Sequence, residues 1–279
     1  MVELFEQHIK TDERQSSKGN QLKWENQNVW YKADYAGYEG LAEYIVSALL
    51  GYSTLASEEY VLYQTEKIHY RHSQYLACRS DDFLPEGWQL ITLERLFQNM
   101  YGESLNRSVY SIQDYAGRVR FLSEQTVRIT GLREFGVYLS KLLTIDALFL
   151  NEDRHTHNIA VLLDDMGKYH YCPVFDNGAS LLSDTTMDYP MTGEVFVLMG
   201  EAKAKTICQD FDEQLDIVEQ LYGQHIKFRY DAKTIDRILS EEAYYPEDIK
   251  QRVRQILVSQ KRKYRYLFTD NVASTEGLV

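Results

Sequence analysis

Cysteine is scarce in this chain of 279 residues. Cys78, Cys172 and Cys208 are its only cysteines, and they lie far apart, without a Cys-x-x-Cys pair. An odd number of scattered cysteines favours neither a disulfide framework nor a thiolate zinc site. We therefore expect free thiols in a reducing compartment.

Long apolar runs are also absent. No stretch approaches the roughly 18 apolar residues that a membrane-spanning helix needs. The segment Met1–Glu6 has neither the basic region nor the apolar core of a secretion signal. Internal repeats and low-complexity tracts are missing as well. We expect a soluble, cytoplasmic protein without a membrane span.

Positively charged residues are fewer than negatively charged ones. The chain has 30 Lys and Arg residues and 42 Asp and Glu residues, which gives a net charge of −12. Binding to a nucleic-acid backbone is driven by Lys and Arg, so no direct nucleic-acid binding is expected. Apolar residues are plentiful, with 44% hydrophobic and 13% aromatic side chains. This content predicts a folded chain with a large core.

Apolar periodicity changes along the chain. Alternation predicts strands at 4–10, 21–24, 29–33, 59–64, 74–78, 159–163 and 169–174. Spacing of three to four predicts helices at 38–50, 92–101, 117–127, 132–150, 211–222, 232–239 and 246–268. The pattern predicts an α+β fold with a small β-rich N-lobe over residues 1–64 and a larger α-helical C-lobe over residues 65–279.

The most informative stretch is the polar loop Asn151–Asn158, between apolar residues on both sides. Asp153 is followed five residues later by Asn158, and Asp176 comes further on, directly before Asn177 and Gly178. Kinases arrange their phosphoryl-transfer site in this order, with the first carboxylate accepting the hydroxyl proton and the other two residues holding Mg²⁺.

Two other interpretations of this loop remain open. His155 and His157 form a His-x-His pair that, with Asp153 or Asp176, would suit a transition metal in a hydrolase. The other five histidines are scattered, and no His-Glu-x-x-His helix exists. Alternatively, the charged loop simply caps a helix.

Two features near the N-terminus would complete a nucleotide site. Lys32 lies on a predicted strand, and Glu39 or Glu43 on the following helix could orient it toward phosphates. The polar turn 16–23 could cradle phosphate oxygens through backbone amides, with charge from Lys18 or Lys23. Taken alone, these features would also fit an exposed strand lysine and an ordinary hairpin.

Together, these motifs resemble those of the HipA-like serine/threonine kinases, over most of the chain and in the same order. The resemblance implies a bilobal protein-kinase-like fold that uses ATP and Mg²⁺. It also implies an interlobe hinge at Leu62-Tyr63-Gln64, which would receive adenine. The implied catalytic residues are Asp153, Lys32 and His155. The implied nucleotide-binding residues are Ser16, Ser17, Lys18, Gly19, Asn20, Gln21, Lys23, Lys32, Glu39, Leu62, Tyr63 and Phe175, and the implied Mg²⁺ ligands are Asn158 and Asp176.

Further implications concern regulation and partners. Ser16 occupies the position at which family members autophosphorylate, and the family context implies a protein substrate and an antitoxin partner, as in a toxin-antitoxin pair. The chain begins almost at the kinase core, which suggests a compact form without the extra N-terminal subdomain. It also has Asp-Asn-Gly at 176–178, where eukaryotic kinases have Asp-Phe-Gly. A lipid or small-molecule kinase, whose catalytic loop looks similar, and a non-catalytic nucleotide-binding scaffold are the alternatives.

Overall fold

The strands form two sheets in a computed structural model that describes residues 1–10 and 21–269. The predicted tail 273–277 and residues 16–20 of the predicted phosphate loop lie outside the described residues. The strands are β1 Val2–Leu4, β2 Lys23–Asn26, β3 Val29–Ala33, β4 Gln64–Tyr70, β5 Ser73–Asp81, β6 Gln89–Thr92, β7 Ala160–Leu163 and β8 Tyr169–Tyr171.

All the α-helices of the described chain except α1 follow strand β6. They are α1 Glu39–Leu50, α2 Leu93–Tyr101, α3 Leu105–Ser111, α4 Tyr115–Thr130, α5 Phe135–Phe149, α6 Val195–Glu201, α7 Phe211–Tyr222, α8 Ala232–Glu241 and α9 Glu247–Lys263. Short 3-10 turns occur at Glu6–His8, Ser57–Glu59 and Arg265–Leu267. Across residues 1–10 and 21–269, none of the helices has both the length and the apolar character needed to cross a bilayer.

The N-terminal lobe is a five-stranded sheet in the order β1-β4-β5-β3-β2, in which only β1 and β4 run parallel. Trp24, Tyr31, Ile68 and Tyr70 pack together in its core. Helix α1 crosses this sheet closely, since a Cβ added at Gly40 would lie 2.7 Å from the carbonyl carbon of Ala77. A glycine is therefore required where α1 meets β5.

The boundary between the lobes differs from the one predicted after residue 64. Strands β4 and β5 pair with each other, and β5 also pairs with β3, so a boundary at 64 would split one sheet. The chain leaves this sheet at Asp81 and enters the three-stranded antiparallel sheet β6-β7-β8 at Gln89. We propose that the lobes divide within residues 82–88, which join the two sheets.

Helices α1 to α9 and β7 contribute to one large core that fills the C-terminal lobe and reaches the inner face of α1. Helix α5 is its central member, and twelve of its fifteen residues are buried. The three cysteines are buried and unpaired with one another. Leu150 follows the last residue of α5 and has a left-handed backbone conformation, with φ of 56°. This conformation is rare for leucine. This sharp ending turns the chain directly into the polar loop that follows.

The predicted secondary structure agrees well with β3, α1, α2 and α7. The predicted strand at 59–64 is wrong, since this segment holds a 3-10 turn and irregular backbone. The strand predicted at 4–10 ends at Leu4 and gives way to a 3-10 turn. Strands β4 and β6 and helices α3 and α6 were not predicted. Strand β4 carries polar or charged residues at most positions, so its apolar alternation is weak.

Candidate functional site

Lys32 of β3 lies between a carboxylate of α1 and a carboxylate of the segment after β8. Its Nζ donates to Glu43 Oε1 at 2.7 Å and to Asp176 Oδ1 at 3.0 Å, and it lies 3.5 Å from the Tyr63 hydroxyl. Burial lowers the pKa of Lys32, but the charges of Asp176 and Glu43 outweigh it and raise the pKa well above its ordinary value. The site therefore holds a permanent ammonium group.

The two glutamates of α1 have different roles. Glu43, one turn into the helix, binds Lys32 through Oε1 and accepts a hydrogen bond from the backbone N–H of Asn177 through Oε2 at 2.8 Å. Glu39 accepts hydrogen bonds from the backbone N–H groups of residues 35–37 at 2.7–3.3 Å. Its carboxylate is thus occupied by the backbone that leads into the helix, and Glu43 instead of Glu39 contacts Lys32.

Asp176 lies at a sharp turn after β8. Its φ of 60° is left-handed, a conformation that Asp tolerates better than most residues. Burial raises the pKa of Asp176, but the positive charges of Lys32 and Lys23 outweigh it and leave the pKa far below its usual range. The residue is therefore a carboxylate at any physiological pH.

Arg154 is almost completely buried beneath this site. Its Nε donates to both carboxylate oxygens of Asp146, at 3.1 and 3.2 Å. Its Nη1 donates to the carbonyl of Phe175 at 2.7 Å, and its Nη2 donates to Asn177 Oδ1 at 2.7 Å. One side chain thus fixes the loop 151–158 against the segment that carries Asp176.

Asp153 and Asn158 are joined inside the loop. Asn158 Nδ2 donates to the carbonyl oxygen of Asp153 at 2.8 Å and to its Oδ2 at 3.1 Å. Asn151 holds Asp153 from the other side, since its Oδ1 accepts the backbone N–H of Asp153 at 3.2 Å. Because the Asn158 nitrogen is engaged, its amide oxygen is the atom available to a cation.

The two histidines do not form a metal centre. Their rings are nearly perpendicular, with centroids 5.4 Å apart, and His155 Nδ1 accepts the backbone N–H of His157 at 3.2 Å. Burial, and then the neighbouring His157, lower the pKa of His155. No group of three or more His, Cys, Asp or Glu side chains suited to a metal occurs within residues 1–10 and 21–269. The His-x-His hydrolase alternative is thus contradicted for this part of the chain.

A cleft of about 700 Å³ opens between the lobes beside Lys32. The rings of Phe83 and Phe175 pack there at a tilt, with centroids 5.8 Å apart. Trp88 forms another part of the wall of the cleft. Of the predicted site residues, Lys23, Lys32, Tyr63, Asn158, Phe175 and Asp176 line this cleft. The cleft thus joins an aromatic region to a charged region, as a nucleotide requires.

Several other predicted residues lie elsewhere. Gln21 does not line the cleft. Leu62 does not line it either and is 58% exposed. The hinge predicted at 62–64 does not lie between the two sheets, because Gln64 begins β4 of the N-lobe sheet. Tyr63 lies beside Lys32 instead, and residues 82–88 connect the lobes. Asp153 and His155 do not line the cleft. Asp153 contacts Asn158, and Asn158 lines the cleft.

Sequence reasoning missed several residues of this site. Asp146 is a lone carboxylate in the apolar helix α5 and is fully buried. A buried charge requires a partner, and this signal could have identified the Asp146–Arg154 pair. Phe83 and Trp88 follow the strand β5, but their role depends on where the lobes divide, which the sequence pattern placed incorrectly.

The donor set at the charged end of the cleft fits Mg²⁺. It offers the carboxylate oxygens of Asp176 and the amide oxygen of Asn158, and a hard cation prefers oxygen ligands of these types. Lys32, which contacts Asp176, adds a cation for phosphate oxygens. The residues therefore fit a nucleotide with its metal ion.

A β-rich lobe joined to an α-rich lobe, with a strand lysine paired to a helix glutamate, describes the bilobal kinase fold. The crystal structure of the proinflammatory kinase CtkA from Helicobacter pylori confirms it. That structure is similar with a TM-score of 0.58 and 17% identity over 94% of each chain. At this identity the similarity establishes the fold alone, and the expected α+β bilobal fold is confirmed.

The HipA toxin of Shewanella oneidensis, solved with HipB and operator DNA, matches with a TM-score of 0.46 and 13% identity. The match covers 90% of this chain and 65% of that chain. No protein-family model matches the sequence, and no curated protein matches it.

Proposed function

We propose that this protein is an ATP- and Mg²⁺-dependent kinase of the HipA-like type that phosphorylates serine or threonine in a protein. The contact of Lys32 with Glu43 at 2.7 Å, beside Asp176, carries the proposal. Kinases need this ion pair and a metal-binding Asp in place at the same time. Lys32 and Asp176 line one cleft with an aromatic wall, which supports the proposal.

Each group has a role in this proposal. Lys32 and Lys23 bind phosphate oxygens, and Phe83, Phe175 and Trp88 provide the apolar surface for adenine. Asp176 and Asn158 hold Mg²⁺, which supplies positive charge to the phosphates. Asp153 accepts the proton of the attacking hydroxyl. Arg154 does not react, but it holds the loop 151–158 in place against the segment that carries Asp176.

Regulation through the loop 16–23 is part of the proposal. Lys23 at the end of this loop lines the cleft. The motif resemblance implies that this loop contacts nucleotide phosphates, and phosphorylation of Ser16 would add roughly two negative charges to it and would inhibit nucleotide binding. We also propose an antitoxin partner, on the basis of the motif resemblance.

The test is incubation with γ-labelled ATP, Mg²⁺ and a native lysate, followed by identification of the labelled species. Asp153→Asn and Asp176→Asn should each abolish transfer. Asp165→Asn is the matched control, because Asp165 is exposed in the β7–β8 turn and should leave transfer unchanged. Full transfer by either of the first two variants would refute the assignment.

A lipid or small-molecule kinase is the second candidate, because the sequence Asp153-Arg154-His155 followed by Asn158 also resembles the catalytic loop of lipid kinases. The same experiment separates the two candidates. Label in protein supports the first, and label in a lipid or a small molecule supports the second. Tight ATP binding without turnover would instead indicate a scaffold.

A further inference from the structure

Lys205 reaches the catalytic loop from a distant part of the sequence. It follows α6, and its Nζ lies 3.9 Å from Asp153 Oδ1. Its side chain is 50% exposed, so the ammonium group borders both the solvent and the carboxylate proposed to accept the substrate proton. The motifs of the sequence gave no indication of this residue.

The segment that carries Lys205 is fixed against the loop. The backbone N–H of Lys203 donates to Glu152 Oε1 at 2.8 Å, and Thr206 Oγ1 donates to the carbonyl oxygen of Arg154. The Tyr110 hydroxyl donates to the carbonyl oxygen of Lys205 at 2.7 Å. Residues 152–154 are thus each contacted by the segment 203–206, which sets the position of the Lys205 backbone.

Arg154 is the permanently charged cation of the loop 151–158 itself. Arg154 is buried and donates to Asp146, Phe175 and Asn177. His155 Nε2 lies 3.7 Å from Asp153 Oδ1, but Nδ1 of the same ring accepts the backbone N–H of His157. Lys32 is held by Glu43 and Asp176 on the other side of the site. Charge that develops on a transferring phosphoryl group requires stabilisation.

We propose that Lys205 is a catalytic residue that contacts the phosphoryl group during transfer. The inference rests on the proposed kinase function. A bond forms between the acceptor hydroxyl oxygen and the γ-phosphorus, while the bond from the γ-phosphorus to the β,γ-bridging oxygen breaks. The electron pair of that bond leaves with ADP. The hydroxyl proton passes to Asp153, and Lys205 keeps its own protons and stabilises the equatorial oxygens by charge.

The position suits this role because Asp153 must approach the attacking hydroxyl within hydrogen-bond distance. A cation 3.9 Å from Asp153 Oδ1 is therefore one contact away from the reacting atoms. A flexible lysine stem allows the ammonium to move from the carboxylate to the phosphoryl oxygens as negative charge develops there.

The test compares Lys205→Ala with Lys203→Ala in the full chain, with kcat and KM for ATP measured separately. Both variants remove one charge, but the Lys203 side chain is exposed and only its backbone contacts the loop. Lys205→Ala should lower kcat by about 100-fold and leave KM for ATP and the melting temperature unchanged. Lys205→Arg should restore most of the lost rate, and Lys203→Ala should behave as wild type.

The outcomes separate this inference from the proposed function. Wild-type protein that transfers no phosphate would overturn both. Active wild-type protein with an unchanged kcat in Lys205→Ala would overturn only the role of Lys205. Equal losses in Lys205→Ala and Lys203→Ala, or a lower melting temperature without rescue by Lys205→Arg, would show a structural role for the segment and would also overturn it.

Discussion

Lys32 and Glu43 form an ion pair of 2.7 Å that connects the N-lobe sheet to helix α1. The same glutamate holds the backbone of Asn177, next to Asp176. Glu43 thus couples the position of α1 to the position of the turn that carries Asp176. Any movement of α1 away from the sheet would release both contacts together.

Glu43→Gln should therefore lower phosphate transfer by about 100-fold or more, because breaking a buried ion pair typically costs about 3–5 kcal/mol. Transfer of γ-labelled phosphate and the affinity for ATP should be measured together. Glu39→Gln is the matched comparison on the same helix. It weakens only the hydrogen bonds to residues 35–37 and should lower stability more than it lowers transfer. The opposite ranking of the two variants would contradict the assignment of Glu43.

Arg154→Met should destabilise the protein by about 3–5 kcal/mol, because it leaves Asp146 buried without its partner. Denaturant unfolding measures this loss. Arg120→Met removes an ion pair of 4.0 Å between exposed side chains and should cost less than about 1 kcal/mol. The double variant Arg154→Met with Asp146→Asn should be more stable than Arg154→Met alone. Additive losses would show that the two residues do not depend on each other.

Asp34 gives the protein a distinctive pH dependence. Its carboxyl group accepts the backbone N–H of Gly40 at 2.6 Å and the hydroxyl of Tyr245 at 2.8 Å. Burial, and then the charge of Glu39, raise the pKa of Asp34 from 3.8 to about 7. Because the folded state holds this proton more tightly than the unfolded state, the contribution of Asp34 to stability falls as the pH rises from about 4 to about 7.

Asp34→Asn should remove this dependence, because the amide resembles the protonated acid. The free energy of unfolding of Asp34→Asn, relative to that of wild type, should increase by up to about 1.4 kcal/mol per pH unit until the pH reaches about 7. Above this pH the difference should stay constant. Denaturant unfolding of both proteins across this range measures the difference. Parallel curves for the two proteins would show that Asp34 titrates normally.

Nucleotide binding should change tryptophan fluorescence. Trp88 lines the cleft and stacks on His170 with ring centroids 4.4 Å apart, whereas Trp24 is fully buried in the core of the N-lobe. Titration with ADP and Mg²⁺ should quench the emission of the wild-type protein. Trp30 also lines the cleft. Trp88→Phe should therefore lose part of this signal, and Trp24→Phe should retain all of it. Equal quenching in Trp88→Phe and Trp24→Phe would place the nucleotide away from the connection 82–88.

The lobe division and the hinge show where sequence reasoning failed. Residues 64–81 form two strands of the N-lobe sheet, but the polar side chains of β4 hid the alternation. The error moved the hinge from 82–88 to 62–64 and concealed Phe83 and Trp88. Strand β4 lies between β1 and β5, and a strand with so many polar residues is defined by its partners more than by its own sequence, so the pairing itself was needed.

The sequence by itself determined α1, β3 and α7, which followed from local apolar spacing. It also predicted Asp153, Asn158 and Asp176 as the reactive groups, from their types and their order. Only the tertiary structure decided which glutamate holds Lys32, that Asp146 pairs with Arg154, and that Lys205 reaches Asp153. These contacts join elements that are distant in the chain, and they depend on helix orientation and the packing of the core, which local patterns do not encode.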